Sequence, residues 1–225
     1  MTARRVLFAA ALAAATAWGC ASLRQQLGMV LVPTATEVQL GQELVGQIEG
    51  EQKLLADTVV QSYISNVFAG IAQYASQDRA DITYTVKVID DPDQVNAFAV
   101  PGGHVYLYTG LLKTAENEAE VAGVMAHELG HHVHKDIPIG MLISSVLTLG
   151  GLYLASIGLK WGVSYFGFES VSDIAGLPLF VLVMGLYGLI TMPLGNTYSR
   201  WRERRADEYA LHATKKGGAY ASALT

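Results

Sequence analysis

One cysteine, Cys20, stands in 225 residues, so no disulfide can close within the chain and no cysteine cage can hold a zinc ion. Any metal has to be taken by histidine, aspartate or glutamate. Charge is scarce too, at 16% of residues with a formal net charge of -5. There is no basic stripe, and so no electrostatic footprint for nucleic acid. Internal repeats and low-complexity linkers are also missing.

What abounds is apolar: 51% of the residues are hydrophobic and the mean hydropathy is +0.30. A chain of this length can bury one sizeable core, or one modest soluble domain plus membrane segments. The positive hydropathy favours the second arrangement. The opening "MTARRVLFAAALAAATAWGCASL", residues 1–23, sets two arginines before the apolar run Val6 to Trp18 and small residues around Cys20. This is the layout of a signal peptide or membrane anchor, with a run too short for a comfortable span. Cys20 after Gly19 partly matches the cleavage box of a bacterial lipoprotein, which makes it a candidate for lipid anchoring. Trp18 and Ala17 depart from that pattern, and plain cleavage or an uncleaved anchor are the alternatives.

From Glu37 to about Ala75 the apolar residues recur at helical spacing, predicting one or two amphipathic helices. "ITYTVKVID", 82–90, alternates as a strand and ends at Asp91 and Pro92; after the turn Pro101-Gly102-Gly103, residues 104–108 alternate again. The two strands are expected to share one small sheet. Residues 115–134 read as a helix whose acidic first turn suits the positive end of the dipole. Ile137 to Leu159 and Ile174 to Leu194 then carry no charge, and each is long enough to cross a bilayer core of about 30 Å. Gly140 with Ser144, and Gly151 with Ala155, would let two such helices approach closely. Residues 160–173 read as a loop with interfacial aromatics, and 197–217 as a charged amphipathic helix beginning near Ser199. The expected fold class is therefore α+β, mainly helical, with a small sheet and an inserted pair of hydrophobic helices. Its parts are the leader 1–23, an N-terminal part 24–136, a hydrophobic hairpin 137–194 and a closing helical part 195–225.

The chemistry concentrates in "HELGHHVHKD". His127 and His131 stand one helical turn apart and can present two imidazoles to one metal. Glu128 lies about 100° round the helix, placed to reach a water at the metal without being a ligand. Such a motif arises by chance on the order of once in a hundred chains of this composition. His132 and His134 point off that face. Catalytic zinc sites use three protein ligands and keep a fourth position open, so one ligand is still owed. The best candidate is Glu203 in "RERRADEYA", with Asp207 one turn later able to hold the far nitrogen of a ligating imidazole. A plain surface helix laced with salt bridges would read the same way.

"HELGHH", two hydrophobic segments and "SRWRERRADEYA" together resemble the membrane-associated zinc endopeptidases that include HtpX and the CAAX prenyl endopeptidases, family forty-eight of the metallopeptidases. "NAFAVPGGHVYLYTGLL" resembles the strand region of its soluble and mitochondrial branches, and "FGFESVSDIAGLPLF" resembles the prenyl-protease branch. The likeness covers roughly residues 85–212. It implies a zincin-like domain of the gluzincin type, one zinc ion per chain on His127, His131 and Glu203, Glu128 as general base, and Asp207 behind a ligating imidazole. It also implies protein or peptide substrates and a membrane partner. A later histidine that lies near the metal in the family has no counterpart in this sequence. Asn96 is a candidate for holding substrate backbone, with a turn residue as the alternative; Tyr106 and Tyr108 either line a cleft or pack.

The expected activity is zinc-dependent peptide-bond hydrolysis in membrane protein quality control. The alternatives are a prenyl-type endoprotease and a non-catalytic zinc scaffold or chaperone. A zinc shared by His131 and Glu203 requires an even number of spans between them, and two are present. The signal segment places the catalytic part on the exported side of the membrane, whereas Arg200, Arg202, Arg204 and Arg205 after the second span argue for the cytoplasmic side.

Overall fold

A computed structural model describes residues 33–214. The leader 1–23 with Cys20, and the chain from 215 onward, lie outside the described residues. The chain divides between Thr114 and Ala115 into two units.

The first unit begins with helices α1 (Thr34–Glu51) and α2 (Thr58–Asp78), followed by strands β1 (Thr85–Ile89), β2 (Ala97–Val100) and β3 (His104–Tyr108) and the short helix α3 (Thr109–Thr114). The strand order is β1-β3-β2, with β1 parallel and β2 antiparallel to β3. The two strands expected from alternation do share this sheet. The third, β2, lies in "AFAV", too short to show a period. The pleat sends Ile89 and Tyr106 to the face covered by Val45 and Ile48 of α1. Gln61 of α2 reaches the β1 main chain, its Nε2 donating to the Val86 carbonyl and its Oε1 accepting from Val88 N–H. Asp57 caps α2, accepting from the amides of Val59 and Val60. The turn before β3 needs glycine: Gly102 and Gly103 sit at φ +85° and +94°, and a Cβ on Gly103 would meet the Thr83 carbonyl oxygen at 2.5 Å. Glu37 and Arg79, both buried, form a two-pronged ion pair at 3.0 and 2.9 Å. Tyr106 is also buried and donates its hydroxyl to Glu49 at 2.8 Å. This is the packing alternative for Tyr106. His104 is half-buried, its Nδ1 2.8 Å from Thr85 Oγ1.

Among the described residues the second unit has three helices and a 3-10 turn: α4 (Glu118–Val133), α5 (Asp136–Phe166), the turn Ile174–Gly176 and α6 (Leu177–Thr214). Asn117 caps α4 through the amides of Ala119 and Glu120, while Glu120 accepts from the amide of Glu116 and from the Asn117 side chain. Lys135 breaks α4 from α5 in the left-handed region, at φ 53° and ψ 34°. Two sequence expectations are corrected here. Helix α5 continues to Phe166, taking in half of the expected loop 160–173. The second hydrophobic segment and the charged helix, expected to be separate, form one helix that carries Pro193 in its interior. Proline removes one main-chain donor there and commonly bends a helix without ending it when neighbours support both sides.

Both long helices bear segments apolar enough to cross a membrane, with mean hydropathy 1.8 and 2.1, and only 11% and 6% of those windows are buried. A soluble core helix of that composition would be mostly buried, so these faces are left for an apolar surrounding. The two helices meet over small residues. Added Cβ atoms on Gly151 and Gly158 would each lie 2.9 Å from Tyr187 and Val183 of α6. The Tyr187 hydroxyl donates to the Leu147 carbonyl at 2.7 Å.

Candidate metal centre

Helices α4 and α6 cross where both are narrow. Ala126 on α4, and Ala206 and Ala210 on α6, are fully buried, and a Cβ on Gly130 would sit 3.0 Å from the Ala206 Cα. Larger residues at this crossing would hold the backbones apart. The close approach lets residues 72 positions apart in sequence converge.

Glu203 Oε2 lies 3.4 Å from His127 Nε2 and 3.7 Å from His131 Nε2. These three residues form a group whose donor atoms lie close enough to hold a metal ion, a nitrogen-nitrogen-oxygen set. Donors bound at about 2.1 Å in tetrahedral geometry stand about 3.4 Å apart, so the spacing fits zinc, as does the donor chemistry. The histidine side chains are 16% and 13% exposed but that of Glu203 is 47%, so solvent reaches the group on the Glu203 side.

Each imidazole is held from behind by a carboxylate. His127 Nδ1 is 2.9 Å from Asp207 Oδ1, the contact expected of Asp207. His131 Nδ1 donates to Asp136 Oδ2 at 3.1 Å, a partner that no sequence motif marks. With Nδ1 engaged, both rings turn Nε2 toward Glu203. Burial, together with the neighbouring His131, outweighs the carboxylates of Asp207 and Glu203 and holds the His127 pKa below its ordinary 6.5. For His131 burial also pulls downward, but the Asp136 hydrogen bond and the charges of Glu128 and Glu203 exceed it, and its pKa is raised. Glu128 is half-buried on α4, close enough for its charge to act on His131.

His132 is buried. His134 Nδ1 bonds the Gly130 carbonyl at 2.6 Å, and its ring meets Tyr209 edge-on. Asn96 belongs to the first unit, where its side chain accepts from the Ala97 amide and its carbonyl from the Tyr108 amide.

Facing helices that bring an H-E-x-x-H pair to a distant glutamate, beside two apolar helices, define a metallopeptidase. The chain belongs to peptidase family M48, whose profile matches residues 58–225. It is 29% identical over 143 residues to the uncharacterized metalloprotease YhfN of Bacillus subtilis (strain 168), covering 60% of this chain and 33% of that protein. To the beta-barrel assembly-enhancing protease of Escherichia coli (strain K12) it is 30% identical over 105 residues, 47% and 21% of the two chains. To protease HtpX homolog 1 of Streptomyces coelicolor it is 32% identical over 153 residues, 65% and 48%. The chain thus matches between about a fifth and a half of the length of these relatives.

Proposed function

We propose that the protein is a membrane-bound zinc endopeptidase that hydrolyses peptide bonds close to the bilayer surface. The observation that carries this reading is the approach of Glu203 Oε2 to His127 Nε2 at 3.4 Å and to His131 Nε2 at 3.7 Å, in a group whose ligand atoms all lie within 4.8 Å of one another. When bound, zinc supplies Lewis acidity, polarising the scissile carbonyl and bringing the pKa of water toward about 7. His127, His131 and Glu203 hold it, and Asp207 keeps the proton of His127 on Nδ1. Glu128 takes the proton from the attacking water on a carboxylate oxygen and passes it to the leaving amine.

Chain geometry supports placing the work at the membrane. Glu203 is nine residues past Leu194, the end of the uncharged run, or about 14 Å of helix at 1.5 Å per residue. His131 lies six residues before Ile137, where the other run begins. The apolar runs 137–159 and 174–194 lie between His131 and Glu203, the second continuing directly into the ligand-bearing part of α6, and they anchor both ligand sites, so peptides that emerge from or lie on the membrane are within reach. One relative is named for enhancing β-barrel assembly, which favours membrane proteins under quality control as substrates. The signal segment favours the exported side.

Hydrolysis of an unfolded protein such as casein by the detergent-purified full chain tests the reading. Activity is expected to be lost with a zinc chelator and restored by zinc. Glu128→Gln is expected to keep one zinc per chain and lose hydrolysis; cleavage retained by that variant would overturn the role of Glu128.

A further inference from the structure

The structure assigns a further part of the metal centre to Asp136, resting on the metal reading above. We propose that Asp136 is a positioning residue that fixes the ring of His131 and is itself fixed by arginines of the helix carrying Glu203. Its side chain is buried, and its two oxygens diverge. Oδ2 accepts from His131 Nδ1 at 3.1 Å, and Oδ1 faces Arg205 Nη2 at 3.5 Å. The main-chain carbonyl of Asp136 accepts from Arg202 Nη1 at 3.2 Å. Arg205 lies over the Trp201 ring at 4.1 Å, so its planar head is packed as well as paired.

On an unbroken helix a residue five positions after His131 would stand about 140° away from it round the axis. The left-handed turn at Lys135 is what returns Asp136 to His131. A buried carboxylate is costly without partners, and here one oxygen serves the imidazole while the other meets a guanidinium. The arginines flank the ligand in sequence: Arg202 immediately precedes Glu203, and Arg205 stands two residues after it and two before Asp207. A single carboxylate therefore joins the last turn of the H-E-x-x-H helix, the start of α5 and the helix of the third ligand. Its chemical effect is to hold the His131 proton on Nδ1 and leave the Nε2 lone pair facing Glu203.

The test uses the full chain in detergent, with zinc affinity read by chelator competition and histidine ring tautomers read by long-range proton-nitrogen correlation on metal-free protein at alkaline pH. In the wild type His131 is expected as the Nδ1–H tautomer. In Asp136→Ala the ring is expected to revert toward the Nε2–H form favoured by free imidazole, with zinc binding weakened 10- to 100-fold. Asp136→Asn, whose amide oxygen can still accept from Nδ1, is expected to recover part of both and guards against a folding defect in the alanine variant. Wild-type protein that binds zinc, with Asp136→Ala and Asp136→Asn of native helicity matching it in affinity and tautomer, overturns the proposal alone. Wild-type protein that takes up no zinc overturns the metal reading instead.

Discussion

Gly130 is where the metal site is most exposed to a small change. Gly130→Ala adds one methyl that meets the Ala206 Cα at 3.0 Å, the Tyr209 Cβ at 3.2 Å and the Ala206 carbonyl oxygen at 3.3 Å. Ordinary carbon contacts lie at about 3.5–4.0 Å, and two of these three atoms are backbone, so α6 has to recede by roughly half an ångström. Glu203 sits three residues before Ala206 on the same rigid helix and recedes with it. Its separations from the two Nε2 atoms, now 3.4 and 3.7 Å, would then open toward about 4 Å, beyond the roughly 3.4 Å that zinc geometry asks for. The substitution also raises helix propensity by up to about 1 kcal/mol. The expected outcome is a divided one: helicity and thermal stability hold or rise slightly, while zinc binds about tenfold more weakly, a loss typical of displaced support around a ligand. Chelator competition for zinc beside a circular-dichroism melt reads both. Unchanged zinc affinity in a folded Gly130→Ala protein would refute the claim that this crossing sets the ligand spacing.

Three further outcomes are expected. Zinc binding should tighten as pH rises through the His131 pKa, with a midpoint above 6.5 because that pKa is raised. Protonation of His131 stabilises the metal-free fold below the unfolded pKa, and this contribution is lost as pH rises through the folded one; a zinc-affinity midpoint at or below 6.5 would contradict the assignment. Glu37→Gln leaves the buried Arg79 guanidinium without its charge partner and should cost the first unit about 3–5 kcal/mol; a melting temperature equal to that of the wild type would show the pair to be dispensable. A reporter fused at residue 120 should be active on the exported side of the membrane if the leader directs insertion, and cytoplasmic activity would reverse the proposed topology.

The residues that follow a local period were legible from sequence, and those that depend on a break were not. His127, Glu128 and His131 share one helix whose 3.6-residue repeat is enough to place them. Glu203 and Asp207 could be named because their spacing supplies a ligand and a support one turn apart, and the structure brings both to the histidines. Asp136 was hidden because its approach to His131 depends on a left-handed lysine, and lysine carries no sequence mark for that conformation. The helix start expected near Ser199 lies inside α6, because apolar residues before Pro193 and polar residues after it each continue the same helix. Strand β2 went unseen because four residues give alternation too little length, while its antiparallel pairing with β3 supplies the register.

The continuity of α6 makes a bound zinc ion a cross-link. Joining His131 to Glu203 closes a loop of 72 residues that contains the entire hydrophobic hairpin. Confining a loop of that size in an otherwise free chain costs on the order of 4 kcal/mol of conformational entropy. A bilayer that already holds the two helices side by side removes most of that cost before the ion arrives. Linkage is reciprocal, so under the proposed function lipid would strengthen zinc retention and zinc would strengthen insertion of the two helices. On the proposed reading, a molecule pulled from its membrane would hold its metal less tightly.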